Sequence, residues 1–144
     1  MIRNAIPDDF DAIYTLCKKN GKLLGPVMPP EIRTAIANEQ CLVFVDNGQV
    51  IAFVLFRRLK RLPECTVQVI CVNSDYRGAG IGKQLIKYLL ELYKVPIKAT
   101  CIKDSTSEQF WSSVGTKYEE LPGKVRPICR YKVFPKVNQF KSLF

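Results

Sequence analysis

The sequence predicts a mixed α/β fold built around one central sheet, and three observations carry that prediction. An Asn47-Gly48 turn separates two apolar, β-rich runs, Cys41–Val45 and Gln49–Phe56. Asn-Gly supplies positive φ at both central turn positions, so the two runs pair as an antiparallel hairpin. A further run, Thr66–Val72, feeds a glycine loop and then an amphipathic helix, the strand–loop–helix order of an α/β layer. Finally, 144 residues are enough to bury a core of their own. The expected organisation is one domain over 1–144, with about 135–144 as a basic tail.

The elements follow in order. Ile2–Ala5 reads as a short first strand. Pro7-Asp8-Asp9 then opens a helix, since proline presets φ and carboxylates suit the first turn. Phe10, Ile13, Tyr14 and Cys17 share its apolar face until Asn20-Gly21 stops it. The stretch from Gly25-Pro26 to Pro29-Pro30 predicts a loop. A short helix from Glu31 to about Asn38 follows, with Ile32, Ala35 and Ile36 on one side. Beyond the hairpin and Thr66–Val72, a long helix from Gly82 to Lys94 aligns Ile81, Leu85, Leu89 and Leu92 and stops before Pro96. Ile97–Ile102 is a strand, Thr106–Val114 a helix ended by Gly115, and Tyr131–Phe134 a closing strand.

Composition narrows the chemistry. The chain has no histidine, which removes Ser-His-Asp and Cys-His nucleophile systems, His-ligated zinc and any imidazole base. Its six cysteines, at 17, 41, 65, 71, 101 and 129, form no C-x-x-C pair. No metal site is expected, and a reducing, cytoplasmic setting is. Met1-Ile2-Arg3-Asn4 leads straight into Pro7-Asp8-Asp9, so no signal peptide is expected. The longest apolar stretches are strand-sized, short of the ~20 residues of a membrane span.

The charge is uneven. Lys and Arg number 22 against 13 Asp and Glu, a net +9, and Leu121–Phe144 holds six cations and no acid. A second basic knot is Arg57-Arg58-Leu59-Lys60-Arg61. Such runs serve either as a solvated surface or as a surface for an anionic partner: a nucleotide cofactor, nucleic acid or an acidic protein. In the terminal run aromatics interleave with the cations, as Arg130-Tyr131-Lys132-Val133-Phe134 and then Phe140-Lys141 and Phe144. That pattern suits nucleic acid, although Tyr131 and Phe134 equally suit a core strand.

The glycine loop carries the most specific chemistry. A strand ending at Val72 runs through Arg77-Gly78-Ala79-Gly80-Ile81-Gly82-Lys83 into a helix. Glycines allow close backbone approach and convergent N–H groups, the helix start adds partial positive charge, and Arg77 and Lys83 add full charges. A pyrophosphate is the expected guest. The spacing is not that of a dinucleotide fingerprint. Nor is it a P-loop, because Arg77 stands where a glycine is needed and Gln84 where Ser or Thr binds magnesium.

This segment resembles the acyl-CoA signature of the GNAT superfamily of N-acetyltransferases, Q/R-x-x-G-x-G/A after the fourth strand. The hairpin before it, the helix after it, and Phe110-Trp111-Ser112-Ser113-Val114-Gly115, similar to the family's F-Y-x-x-x-G, extend the likeness from Ile2 to Phe134. The resemblance implies a mixed, mostly antiparallel sheet splayed at the acyl-CoA motif and flanked by about four helices. It implies that backbone groups of Ile70, Cys71 and Val72 pair with the pantetheine arm. Amides from Arg77 through Gly78, Ala79, Gly80, Ile81 and Gly82 to Lys83 would hold the pyrophosphate, with Trp111 beside the cofactor. Acetyl-CoA would be the acyl donor, without a metal, and a primary amine the acceptor by direct attack.

Trp111 departs from the family, where a tyrosine at this place protonates the departing thiolate. Indole does not titrate, so Tyr118, Cys101 or a water must serve, or the enzyme runs without a dedicated acid. The family's asparagine before this position is also absent, with Asp104 and Ser105 in its neighbourhood. Glu64, at the start of the motif strand, is the candidate base, ahead of Glu31. Cys71 as an acyl-carrying nucleophile lacks a histidine to activate it. Residues 20–38 resemble the variable acceptor region, and Lys22, Glu31, Arg33 and nearby Glu39 select no substrate. The acceptor is a small molecule, a protein, a nucleic-acid base or a nucleic-acid-bound protein. A non-catalytic CoA-binding module is the rival reading. No membrane contact is expected, the oligomeric state stays open, and a dimer is compatible with the sequence.

Overall fold

A computed structural model of the chain describes residues 1–24, 26–59 and 61–135. Gly25, Lys60 and the expected tail beyond Pro135, with Lys136, Phe140, Lys141 and Phe144, lie outside the described residues. Seven strands make one sheet: β1 (Ile2–Asn4), β2 (Cys41–Asp46), β3 (Gln49–Arg58), β4 (Cys65–Val72), β5 (Ile97–Ile102), β6 (Thr116–Leu121) and β7 (Ile128–Val133), ordered β1-β2-β3-β4-β5-β7-β6. Only β4 and β5 pair in parallel; the other pairs are antiparallel. The helices are α1 (Phe10–Lys19), a single turn α2 (Gly21–Leu24), α3 (Pro29–Ala37), α4 (Ile81–Tyr93) and α5 (Thr106–Val114). This is the mixed α/β architecture that the sequence predicts.

Strand alternation sorts the apolar residues onto two faces. Leu42, Ala52, Val54 and Phe56 pack with Leu85, Ile86 and Leu89 of α4 and with Trp111 of α5. On the other face Val43, Phe53 and Leu55 meet Ile13 and Leu16 of α1 and Ile32 and Ile36 of α3. Each such buried side chain contributes ~1.5–3 kcal/mol of burial. One irregularity then shapes everything downstream. Leu55 faces Val69 but Phe56 faces Val67, so Gln68 is an extra residue in β4. A bulge bends its strand and reverses the alternation of its side chains. Val67 accordingly packs with the α4 core, whereas Val69 and Cys71 pack with the α1–α3 core.

Several boundaries differ from expectation for physical reasons. α3 begins at Pro29, because Pro29 and Pro30 occupy its first turn, where no N–H is needed and Met28 is extended (φ −86°, ψ 143°). α3 therefore takes in the end of the stretch predicted as loop, and α2 follows directly on the Asn20-Gly21 stop in residues to which the sequence assigned no element. Leu92 was expected on the core face of α4 but is 50% exposed. The face passes instead from Leu89 to Tyr93, whose ring lies 5.8 Å from that of Phe56. β6 carries no apolar alternation in the sequence because it is an edge strand with no buried residue, interrupted by a bulge at Tyr118. The closing strand starts at Ile128 rather than Tyr131.

Candidate active site

β4 and β5 pair only at Cys65–Ile97 and Thr66–Lys98, then diverge just before the Gln68 bulge. The gap between them opens into a cleft of about 400 Å³. One wall is the freed edge of β4, at Ile70, Cys71 and Val72. The opposite wall is the start of α5, with Thr106, Ser107, Phe110 and Trp111. Phe110 and Trp111 stand edge to face, with centroids 5.1 Å apart. The far end is closed by the glycine loop and the first turn of α4.

That loop is built to expose backbone. Gly78 (φ +86°) and Gly80 (φ +79°) take left-handed conformations that side chains rarely adopt. Gly80 is the N-cap of α4 and offers no side-chain cap. The first hydrogen bond into the helix runs from the Gln84 N–H to the Gly80 carbonyl, 3.0 Å. The N–H groups of Ile81, Gly82 and Lys83 therefore lack an intrahelical acceptor, which makes the helix start a site for an anion. Neither Arg77 nor Lys83 joins an ion pair among the described residues. Of the residues expected around the cofactor, only Ala79 does not line the cleft; it is exposed on the outside of the loop.

Arg77 does something the sequence did not announce. Its Nε donates to the Val72 carbonyl at 3.3 Å, and its Nη2 donates to Oδ1 of Asn20. Asn20 in turn donates through Nδ2 to the Leu16 carbonyl, 2.8 Å. The guanidinium thus straps the end of α1 to the glycine loop, and Asn20 and Leu24 become part of the cleft wall. Tyr76, Thr106 and Ser107 are further lining residues that sequence reasoning missed. In the place of the family's asparagine, Ser105 is occupied as the cap of α5, its Oγ accepting the Glu108 N–H at 3.1 Å. The hydroxyl-bearing side chains at the cleft come one and two residues later.

The two expected catalytic residues stand elsewhere. Glu64 precedes β4 at the end away from the glycine loop, with its carboxylate 3.1 Å from the Lys98 ammonium. Tyr118 is the bulged residue of β6, its ring centre 5.0 Å from the Lys132 ammonium. Neither lines the cleft, and among the described residues no carboxylate does. Glu31 is exposed on α3 and is likewise absent from the lining. Burial pushes the Cys71 thiol up to about 11, so it is a poor nucleophile. Cys101 is buried and raised to about 11 for the same reason.

In the described part of the terminal basic run, the cations and the aromatic residue of β7 lie on opposite faces. Tyr131 is buried in the α4–α5 core and donates its hydroxyl to Glu108 at 2.8 Å, while Arg130 and Lys132 point to the opposite side of β7. In the Arg57–Arg61 knot, Arg58 is built into the loop by a 2.8 Å bond to the Leu62 carbonyl. No described helix is long and apolar enough to cross a membrane.

Comparison with known proteins bears on this cleft. The model of the acetyltransferase (GNAT) family matches residues 8–108. No curated protein matches the chain in sequence. Among solved structures, Ard1 from Thermoplasma volcanium is 17% identical with a TM-score of 0.81, covering 95% of this chain and 98% of that one. The ribosomal-protein-S18-alanine N-acetyltransferase from Escherichia coli is 16% identical with a TM-score of 0.77, covering 95% and 94%. N-acetylglutamate synthase from Neisseria gonorrhoeae, complexed with coenzyme A and N-acetyl-glutamate, is 14% identical with a TM-score of 0.75, covering 92% of this chain and 35% of that one. At these identities the likeness is one of fold.

Proposed function

The chain belongs to the GNAT acetyltransferase family, and from that premise we propose that it transfers an acetyl group from acetyl-CoA to a primary amine by direct attack. The observation that carries the reading is the pairing of two features in one cleft. A strand edge is freed by the β4–β5 divergence, and a helix start with unpaired N–H groups lies at its end. Amides of the Gly78–Lys83 loop suit a pyrophosphate, with the charges of Arg77 and Lys83 close by. The backbone of Ile70–Val72 suits an extended amide-bearing arm laid alongside like an added strand. Thr106 and Ser107 supply hydroxyls on the opposite wall, and Phe110 and Trp111 an apolar surface.

Transfer requires a neutral amine whose nitrogen attacks the thioester carbonyl carbon while the carbon–sulfur bond breaks and the thiolate leaves. Holding the two reactants together is the main contribution such a cleft makes. With no carboxylate among the described residues of its lining and no histidine in the chain, the amine's proton passes to water, and the thiolate needs no dedicated acid to depart. The Glu64 carboxylate, the Tyr118 phenol and the Cys71 thiol have no part in this reading.

A second reading, a CoA-binding module without turnover, is favoured by the lack of a carboxylate in the lining among the described residues and by Trp111. Calorimetric titration with acetyl-CoA, followed by free-thiol release against a panel of amines, decides between them. Binding with turnover on any amine is the expected result. Binding without turnover on every amine favours the module, and no binding at millimolar acetyl-CoA overturns both.

A further inference from the structure

Trp111 is the sole tryptophan of the chain, and it brings one polar atom to an otherwise apolar part of the cleft wall. The residue is 3% exposed and packs with Leu85 and Leu89 in the α4–α5 core. A buried indole ordinarily gives its N–H to an acceptor. Tyr131, the polar aromatic beside it in the same core, does so, donating its hydroxyl to Glu108 at 2.8 Å. No described residue accepts from Nε1 of Trp111. Nor is that nitrogen sealed from solvent; among the described residues the buried side-chain atom in that state is Nε of Arg58. The solvent that Trp111 borders is the cleft, so its N–H is a donor left open to whatever the cleft holds.

The two aromatic residues of the wall serve different ends of the cleft. Phe110 abuts the glycine loop, where a Cβ on Gly82 would come within 2.9 Å of its ring. Trp111 shares its core with Val67 and Ala99, the residues next after the paired positions Thr66 and Lys98. It therefore belongs with the closed end, where β4 and β5 part. An arm anchored by its pyrophosphate at the loop and laid along Val72, Cys71 and Ile70 runs towards that end. Its thioester then lies between the backbone of β4 on one side and the indole on the other.

Resting on the acetyl-transfer reading above, we propose that Trp111 is a catalytic residue that holds the departing thiolate by a hydrogen bond and gives it no proton. The amine nitrogen attacks the thioester carbonyl carbon, and the carbon–sulfur bond breaks with its electron pair passing to sulfur. Nε1–H donates to that sulfur as it gains charge. The indole is a donor that does not titrate, so it keeps its proton. The proton of the attacking nitrogen goes to water, and the thiolate leaves as an anion that solvent protonates. A hydrogen bond to an anion is stronger than one to a neutral thioester sulfur. The contact thus stabilises the transition state more than the bound donor, and its effect falls on kcat rather than on affinity.

A single tryptophan gives a single indole cross-peak in a 1H–15N spectrum of the full chain, which reads the contact directly. Saturating CoA should move that peak downfield, and further as rising pH ionises the thiol. Desulfo-CoA, which lacks the sulfur, and a dethia analogue of acetyl-CoA with a methylene in its place should bind without that shift. Trp111→Phe keeps a ring and loses the donor, and should lower kcat about tenfold or more. The calorimetric Kd for acetyl-CoA and the circular dichroism should stay unchanged. Trp111→Tyr restores a donor and should recover part of the loss, with a new decline in kcat as the phenol ionises near ~10. Equal shifts with CoA and desulfo-CoA, or full kcat in Trp111→Phe, overturn the proposal. So does a shift with the dethia analogue as large as with CoA, which assigns the donor to the carbonyl oxygen. A larger loss of kcat in Ser107→Ala than in Trp111→Phe also overturns it, in favour of that hydroxyl. With turnover intact in the parent chain these results refute this inference alone, whereas no turnover on any amine refutes the transfer reading and this one with it.

Discussion

A methyl group placed on Gly82 probes the contact that sets the width of the cleft. The new Cβ would lie 2.9 Å from Cε1 and 3.4 Å from Cζ of Phe110, against ~3.5–4.0 Å for ordinary carbon contacts. The Phe110 ring must therefore withdraw by roughly 0.5–1 Å. Overpacking of this kind costs ~1–3 kcal/mol. Gly82 is helical, so alanine's better propensity offsets up to ~1 kcal/mol of that. The net loss of stability is small, but Phe110 also lines the cleft, and its displacement should weaken acetyl-CoA binding tenfold or more, ~1.4 kcal/mol per decade. Calorimetric titration reads the affinity, and a thermal melt confirms the fold. Adding Phe110→Leu makes room for the methyl and should restore part of the affinity. Gly80→Ala works differently: no heavy atom waits within 4 Å, but φ is +79°, a strain of ~1–2 kcal/mol that no change at Phe110 relieves. If Gly82→Ala binds acetyl-CoA as tightly as the parent, or if Phe110→Leu restores nothing to it, the α4–α5 contact does not shape the site.

Two further outcomes follow from the geometry. Asn20→Ala removes the acceptor of the Arg77 strap, a bond worth ~0.5–1.5 kcal/mol, and should raise KM for the amine threefold or more with little change in acetyl-CoA affinity; steady-state kinetics with each substrate varied in turn separates the two. For pH, the Arg3 guanidinium holds Asp9 below the ordinary carboxylate range, and Glu108 is lowered from 4.5 to about 2, chiefly by the Asp104 N–H. The unfolded chain takes up these protons first, so stability is full above about pH 4.5 and drains as the pH falls towards about 2; Glu108→Gln should flatten that decline, read from urea midpoints at pH 7 and pH 3.

What the sequence made legible and what it hid divide along one physical line. The glycine-loop half of the cleft is written in backbone requirements. Gly78 and Gly80 need positive φ, a helix must start at Ile81, and an apolar strand must precede it, so contiguous residues announce the loop. The wall formed by the end of α1 is written in relations between distant residues. Arg77 and Asn20 are 57 positions apart, and neither spacing nor composition couples them, so Asn20 reads only as a helix stop. Gln68 looks like any polar residue of a half-exposed strand until register shows it to be a bulge. That single insertion sends Cys71 to the α1–α3 core and coincides with the parting of β4 from β5. Glu64 and Tyr118 attracted catalytic roles because their residue types suit the chemistry, yet both side chains gather around Lys98, beyond the paired end of the two strands. The groups that sequence reasoning assigned to proton transfer instead offset the repulsion of two lysines held opposite each other on neighbouring strands: Glu64 pairs with Lys98, and the Tyr118 ring faces both ammonium groups.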